Sequence, residues 1–174
     1  MLDVFISILS DEYIDAEKEA LEFLFEYLFK VEAWGYYELR LYNSTMLLMP
    51  PKMVITLSKT AYEKSVDFRE FKKVNDVIIA ILLSTLTYLL GPIKYVEEYK
   101  VFLTYIENIT IPENLLYSRN HLLYMKGVFE IKTGNREKGI AIVNKAISIF
   151  HELGSTGLVI EWDNYLQIIL DYTE

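Results

Sequence analysis

A chain of 174 residues, 52% of them hydrophobic and none of them cysteine, can bury about two-thirds of its unfolded surface in one domain and excludes disulfides and thiolate metal sites. Its net charge of −8, with arginine only at Arg40, Arg69, Arg119 and Arg136, leaves no clustered basic face to displace counterions from phosphates, so this chain alone is not expected to hold nucleic acid. The amino terminus, MLDVFISILSDEYIDAEKEA, lacks the basic stretch of a signal peptide, and a thiol-free chain suits a reducing cytoplasm.

Proline and glycine are few and fall between periodic stretches, as helix boundaries do. The spacing predicts helices over Ile14–Lys30, Ala33–Leu48, Lys52–Val66, Phe71–Leu90, Ile93–Ile109, Glu113–Thr133, Glu137–Leu153 and Val159–Tyr172, with a further short apolar helix preferred for Met1–Leu9. The breaks are Pro50-Pro51, Gly91-Pro92, Pro112, Gly134-Asn135 and Gly154–Gly157. Nothing alternates with period 2, so the fold class is all-α and the chain reads as a single helical-repeat domain over residues 1–174. The uncharged run VIIAILLSTLTYLLGPI (Val77–Ile93) is shorter than the ~20 residues of a membrane span and contains Ser84, Thr85, Thr87, Gly91 and Pro92. It is predicted to be a helix buried on all sides, and no membrane contact is expected.

Gly127 and Gly139 stand inside predicted helices, where each costs about 0.5–1 kcal/mol relative to alanine. On Glu137–Leu153, Ile140, Val143, Ile147 and Phe150 form one apolar stripe, and Ile142, Ala146, Ile149 and Leu153 form a second beside it. A helix apolar over about half its circumference touches neighbours on two sides. Gly127, Gly139 and Ala146 then remove side chains where two backbones approach, as in a stacked helical hairpin. The spacing resembles a tetratricopeptide (TPR) repeat, whose small residues fall at the eighth, twentieth and twenty-seventh positions, although Glu130 and Val143 stand where that repeat prefers aromatics. One repeat cannot bury its own face. Ala33–Leu48 with Lys52–Val66, and Phe71–Leu90 with Ile93–Ile109, supply further hairpins, and the expected architecture is a TPR-like right-handed superhelix of antiparallel hairpins.

The segment EYLFKVEAWGYYELRLYNSTMLL (Glu26–Leu48), with Trp34, Tyr37-Glu38, Leu41 and Asn43, resembles the carboxy-terminal domain of Rgg/GadR/MutR transcriptional regulators. Asn75 followed by DVIIAIL, and LLYMKGVFEIKTGNREKGIAIVNKAISIFHELG further on, are similar to later blocks of that domain. The resemblance runs from about Glu22 to Tyr172. It implies a helical repeat domain that forms a homodimer and receives a short hydrophobic signalling peptide, a pheromone of quorum sensing. Members of the family carry an amino-terminal helix-turn-helix that binds promoter DNA. No such segment precedes the repeats here, so the expectation is a peptide-sensing and dimerising domain without its own DNA-binding domain, the alternative being a stand-alone TPR-like adaptor that binds another protein.

His121 and His151 have no Cys or His at ligand spacing, the carboxylates fall on polar helix faces, and no Gly-rich loop or Ser-His-Asp set is present, so no catalytic residue, metal or cofactor is expected. If Gly127 holds the eighth repeat position, Tyr117, His121, Tyr124, Val128 and Lys132 face the groove of the array. Tyrosine rings cover apolar side chains while keeping a hydroxyl for hydrogen bonding. Tyr42, Asn43 and Asn75 lie near helix ends, and an asparagine amide both donates and accepts, as an extended peptide backbone requires. Those asparagines serve equally well as local caps. The candidate ligand-binding set is therefore Tyr42, Asn43, Asn75, Tyr117, His121 and Tyr124. The last helix has no hairpin partner, and its apolar residues Trp162, Leu166 and Ile169 are the expected dimer interface, the competing reading being that Trp162 packs inward on Glu137–Leu153.

Overall fold

The computed structural model describes residues 18–90 and 95–172. Among the described residues there are eight α-helices and no strand: α1 Lys18–Lys30, α2 Tyr36–Thr45, α3 Pro51–Lys64, α4 Lys72–Tyr88, α5 Val96–Glu107, α6 Leu116–Lys132, α7 Arg136–Glu152 and α8 Thr156–Tyr172. Single 3-10 turns at Met46–Leu48 and Val66–Phe68 follow α2 and α3. Every predicted helix from Lys18 onward has its counterpart. The Met1–Leu9 helix, the start proposed at Ile14 and the Gly91-Pro92 break lie outside the described residues.

The shifted boundaries have local causes. Gly35 is the N-cap of α2, and Glu38 reaches back to accept its backbone N–H at 3.0 Å, so the helix begins at Tyr36 and not at Ala33. Pro50 is held extended by the proline that follows it, which places Pro51 at the first position of α3, where a missing N–H costs nothing. The Leu115 N–H closes a turn onto the Pro112 carbonyl at 3.0 Å, which delays α6 to Leu116. Gly157 does not break the last helix; α8 starts at Thr156, as soon as the preceding turn is complete.

The chain divides into two compact units, residues 1–81 and 82–174, with the division inside α4. In the first, Leu28, Trp34, Leu39, Tyr42, Met46, Val54, Leu57 and Ala61 are buried. Trp34 meets Tyr42 edge-on with ring centroids 5.6 Å apart. The Tyr42 hydroxyl donates to the Val54 carbonyl at 2.9 Å and lies 2.6 Å from Ser58 Oγ, which pins α2 to α3. Helix α4 is buried on nearly every side from Val77 to Leu86, as its uncharged sequence predicts. No described helix is long and apolar enough to cross a membrane.

In the second unit the same turn is used twice. After α6, the N–H of Gly134 bonds the Ile131 carbonyl at 3.1 Å and that of Asn135 bonds Glu130 at 2.8 Å. After α7, Gly154 bonds His151 at 2.9 Å and Ser155 bonds Phe150 at 2.9 Å. This is the Schellman pattern, which needs a left-handed residue, and Gly134 and Gly154 have φ of +91° and +68°. Helices α6 and α7 run antiparallel: Asn120 pairs with Ala146, Gly127 lies against Gly139, and Glu130 pairs with Lys138. A Cβ on Gly127 would sit 2.9 Å from the Gly139 carbonyl oxygen, and one on Gly139 would sit 2.6 Å from that of Gly127. The obstructing atoms are backbone and cannot turn aside. The second apolar stripe of α7 is only partly covered, since Ile149 and Leu153 remain exposed.

Gly139→Ala is therefore expected to lower stability by about 1–2 kcal/mol, the cost of overpacking outweighing the gain in helix propensity. Gly157→Ala, where a Cβ meets nothing within 4 Å, is expected to leave stability unchanged or raise it. Thermal unfolding followed by circular dichroism separates the two: equal shifts in both variants would refute the close approach.

Candidate functional site

Helix α6 presents Tyr117, His121, Tyr124, Val128 and Lys132 along one face, and the structure shows what each of them meets within the second unit. Trp162, from α8, is the hub of an aromatic cluster. Its ring centroid lies 4.6 Å from those of Tyr124 and Phe150, 5.4 Å from His121 and 6.2 Å from Tyr117. The Tyr124 hydroxyl donates to the Trp162 carbonyl at 3.0 Å. Tyr117 closes the cluster from outside, 5.9 Å from Phe150 and 5.6 Å from His121, and remains 49% exposed. An apolar side chain reaching this surface would meet the Tyr117 ring first.

His121 is a neutral member of this cluster. Burial pulls its imidazole down to a pKa of about 4. Its Nε2 lies 3.0 Å from the Thr87 hydroxyl, whose single hydrogen is donated to the Leu83 carbonyl at 3.0 Å. Lys132, at the last position of α6, donates to the Leu89 carbonyl at 3.1 Å and stands over the Tyr99 ring, 5.8 Å from its centroid. Burial lowers its ammonium pKa to about 8.

The expected ligand residues divide by burial. Tyr117 and His121 retain a surface, as do Asn43 and Asn75, which are half-buried in the first unit. The Asn43 Oδ1 is buried and has no hydrogen-bond partner among the described residues. Tyr42 and Tyr124 are core residues, with exposures of 0% and 1% and hydroxyls committed to backbone carbonyls. Their alternation with polar neighbours reads the same for a groove and for a core. The residues expected at a dimer interface are packed within the chain itself. Trp162, Leu166 and Ile169 are 3%, 5% and 3% exposed within the single chain, because α8 turns its apolar face inward. The apolar residues that α7 and α8 leave exposed are Ile149, Leu153, Ile160 and Ile168.

Thr87 and Phe150 complete the cluster, and nothing in the sequence assigns them to it. Thr87 is 34 residues from His121, and no periodicity connects them. Phe150 was visible only as part of an apolar stripe. Among the described residues no three His, Asp or Glu side chains converge as a metal site.

The buried histidine generates a pH dependence. Its folded pKa of about 4 lies below the unfolded value of 6.5, so the unfolded chain binds the proton more readily between them. The contribution is fully present above pH 6.5 and is lost as pH falls towards 4, by up to about 3 kcal/mol. His121→Gln is expected to shrink the fall in melting temperature between pH 7 and pH 4.5. An unchanged fall would show that the imidazole titrates normally in the folded chain.

Comparison with known proteins agrees with this architecture. Residues 1–164 match the family described as HTH-type transcriptional regulator Rgg, C-terminal domain. Among solved structures, the chain is similar to the SHP pheromone receptor Rgg2 of Streptococcus dysgalactiae, at 23% identity and a TM-score of 0.74, over 94% of this chain and 61% of that one. A variant of the same receptor superposes with a TM-score of 0.75 at 23% identity, over 86% of this chain and 54% of that one. A candidate transcriptional regulator from Listeria monocytogenes gives a TM-score of 0.79 at 16% identity, over 94% of this chain and 56% of that one. At these identities the likeness shows a shared fold, and the chain spans little more than half the length of the proteins it matches. The family is one of regulator domains and not of enzymes, and the chain belongs to it: this is an Rgg-type C-terminal domain.

Proposed function

We propose that this domain is the peptide-sensing and dimerising part of a cytoplasmic transcriptional regulator, its ligand a short, largely hydrophobic signalling peptide. Membership of the Rgg C-terminal family carries the reading. The fold it shares with a pheromone receptor supports it. So do the two hairpins α6–α7 and α7–α8, built by one repeated turn, which suit a TPR-like right-handed superhelix with a binding face.

The exposed Tyr117 ring beside neutral His121 suits an apolar peptide side chain. Both are uncharged at neutral pH, so nothing there asks the ligand for a compensating charge. Promoter DNA would be engaged through a separate domain, consistent with the acidic charge of this one. The exposed apolar residues Leu153 and Ile160 replace Trp162 as the surface for a homodimer.

Mass spectrometry of the protein purified under native conditions is expected to release a short apolar peptide. Its binding in calorimetry should weaken by about tenfold or more in Tyr117→Ala, with the fold retained. Equal affinity in that variant would place the site elsewhere, and a protein partner in place of any peptide would favour the adaptor reading. The Leu153→Asp, Ile160→Asp double variant should sediment as a smaller species than the parent at tens of micromolar; equal sedimentation would refute that dimer surface.

A further inference from the structure

Lys132 is not explained by the fold alone. Its side chain reaches the Leu89 carbonyl and stands over Tyr99, both residues nearly inaccessible, with Phe129 stacked on Tyr99 at 6.0 Å between centroids and 7° between planes. The ammonium has three N–H donors, and the structure uses one of them, on the Leu89 carbonyl. No carboxylate among the described residues pairs with it, although carboxylates take up Lys72, Lys126 and Lys138 elsewhere on the surface. Removing an ammonium from water costs free energy that an anion, properly hydrogen-bonded, would return. Here the return is partial: the Leu89 carbonyl, just past the end of α4, offers the negative end of a helix dipole, and the Tyr99 ring offers its face.

We propose that Lys132 is a carboxylate-binding group that takes the C-terminal carboxylate of the peptide ligand. The inference rests on the peptide reading above and deepens it. The two N–H donors not used on Leu89 suit the two oxygens of a carboxylate. The surroundings decide what carries that carboxylate. Phe129, half-buried and stacked on the same Tyr99 ring over which the ammonium stands, offers an apolar rim, which suits the last side chain of a hydrophobic peptide and not a strongly hydrated inorganic ion. The chain's net charge of −8 repels anions in general, so an anion is held here only by local contacts.

Bound carboxylate favours the charged amine, so binding is coupled to protonation. Because burial has already lowered the free amine to about 8, affinity should fall as pH rises above that value, by up to tenfold per unit until the amine of the complex also titrates. Below pH 7 it should be flat.

The test uses the full chain with 13C-labelled lysine, the Lys132 signal being assigned by its loss in Lys132→Met. At pH 8.5, N-acetyl-leucine should move that signal towards its protonated position, while N-acetylleucinamide and an equal concentration of acetate should not. No movement with N-acetyl-leucine overturns the proposal, and so does equal movement with the amide or with acetate. A second measurement separates this proposal from the peptide reading. A peptide recovered from the purified protein should lose about tenfold or more in affinity when its C-terminus is amidated, or when the protein carries Lys132→Met. If the peptide binds and neither change matters, the carboxylate site is wrong and the peptide reading stands.

Discussion

The backbones of α6 and α7 touch at Gly127 and Gly139, where neither residue has a side chain to hold them apart. That contact sets the rotation of α6 about its own axis. With Gly127 turned to α7, residues Tyr117, His121, Tyr124, Val128 and Lys132 are carried to another face of the helix. The Asn120 amide donates to the Ala146 carbonyl at 2.8 Å and locks the same alignment two turns away. The glycines cost helix propensity, and the interaction they permit is dispersion between two closely approached backbones. A hairpin of this kind has little tolerance for rotation or sliding, and for that reason it can serve as a frame for side chains that must be positioned.

The aromatic cluster depends on that frame and on the second Schellman turn at Gly154. Reversing the chain there brings Trp162 back against Tyr124 and Phe150. The cluster is therefore core at its centre and surface at its edge: its inner members are sealed, and Tyr117 remains exposed. The exposed ring of Tyr117 rests on Phe150 of α7 and Trp162 of α8, so the edge of the cluster is in contact with the packing of the last two helices. The apolar residues that α8 and α7 leave uncovered lie on those same two helices.

The two ionisable groups on the α6 face are tuned by burial in the same direction but with different results. His121 loses its charge at neutral pH and joins the apolar cluster. Lys132 keeps its charge near neutrality because a lysine begins four units higher, and burial removes only part of that margin. One face of one helix thus offers an uncharged aromatic surface near its start and a cation at its end.

Much of this was legible in the residues alone. The all-α class, the helices from Lys18 onward, the burial of Val77–Leu86, the packing role of Gly127 and Gly139 and the family itself follow from periodicity, helix breakers and segments such as EAWGYYELRLYN, because these are local signals. The structure alone decided which tyrosines are sealed and which are exposed, since Tyr117 and Tyr124 occupy the same face and differ only in what α8 lays over them. It also decided that Trp162 points inward. An apolar stripe on a helix states that something covers it, but whether the cover is the same chain or another one depends on contacts between residues far apart in sequence, such as Trp162 with Tyr124 and His121 with Thr87, and no spacing rule encodes those.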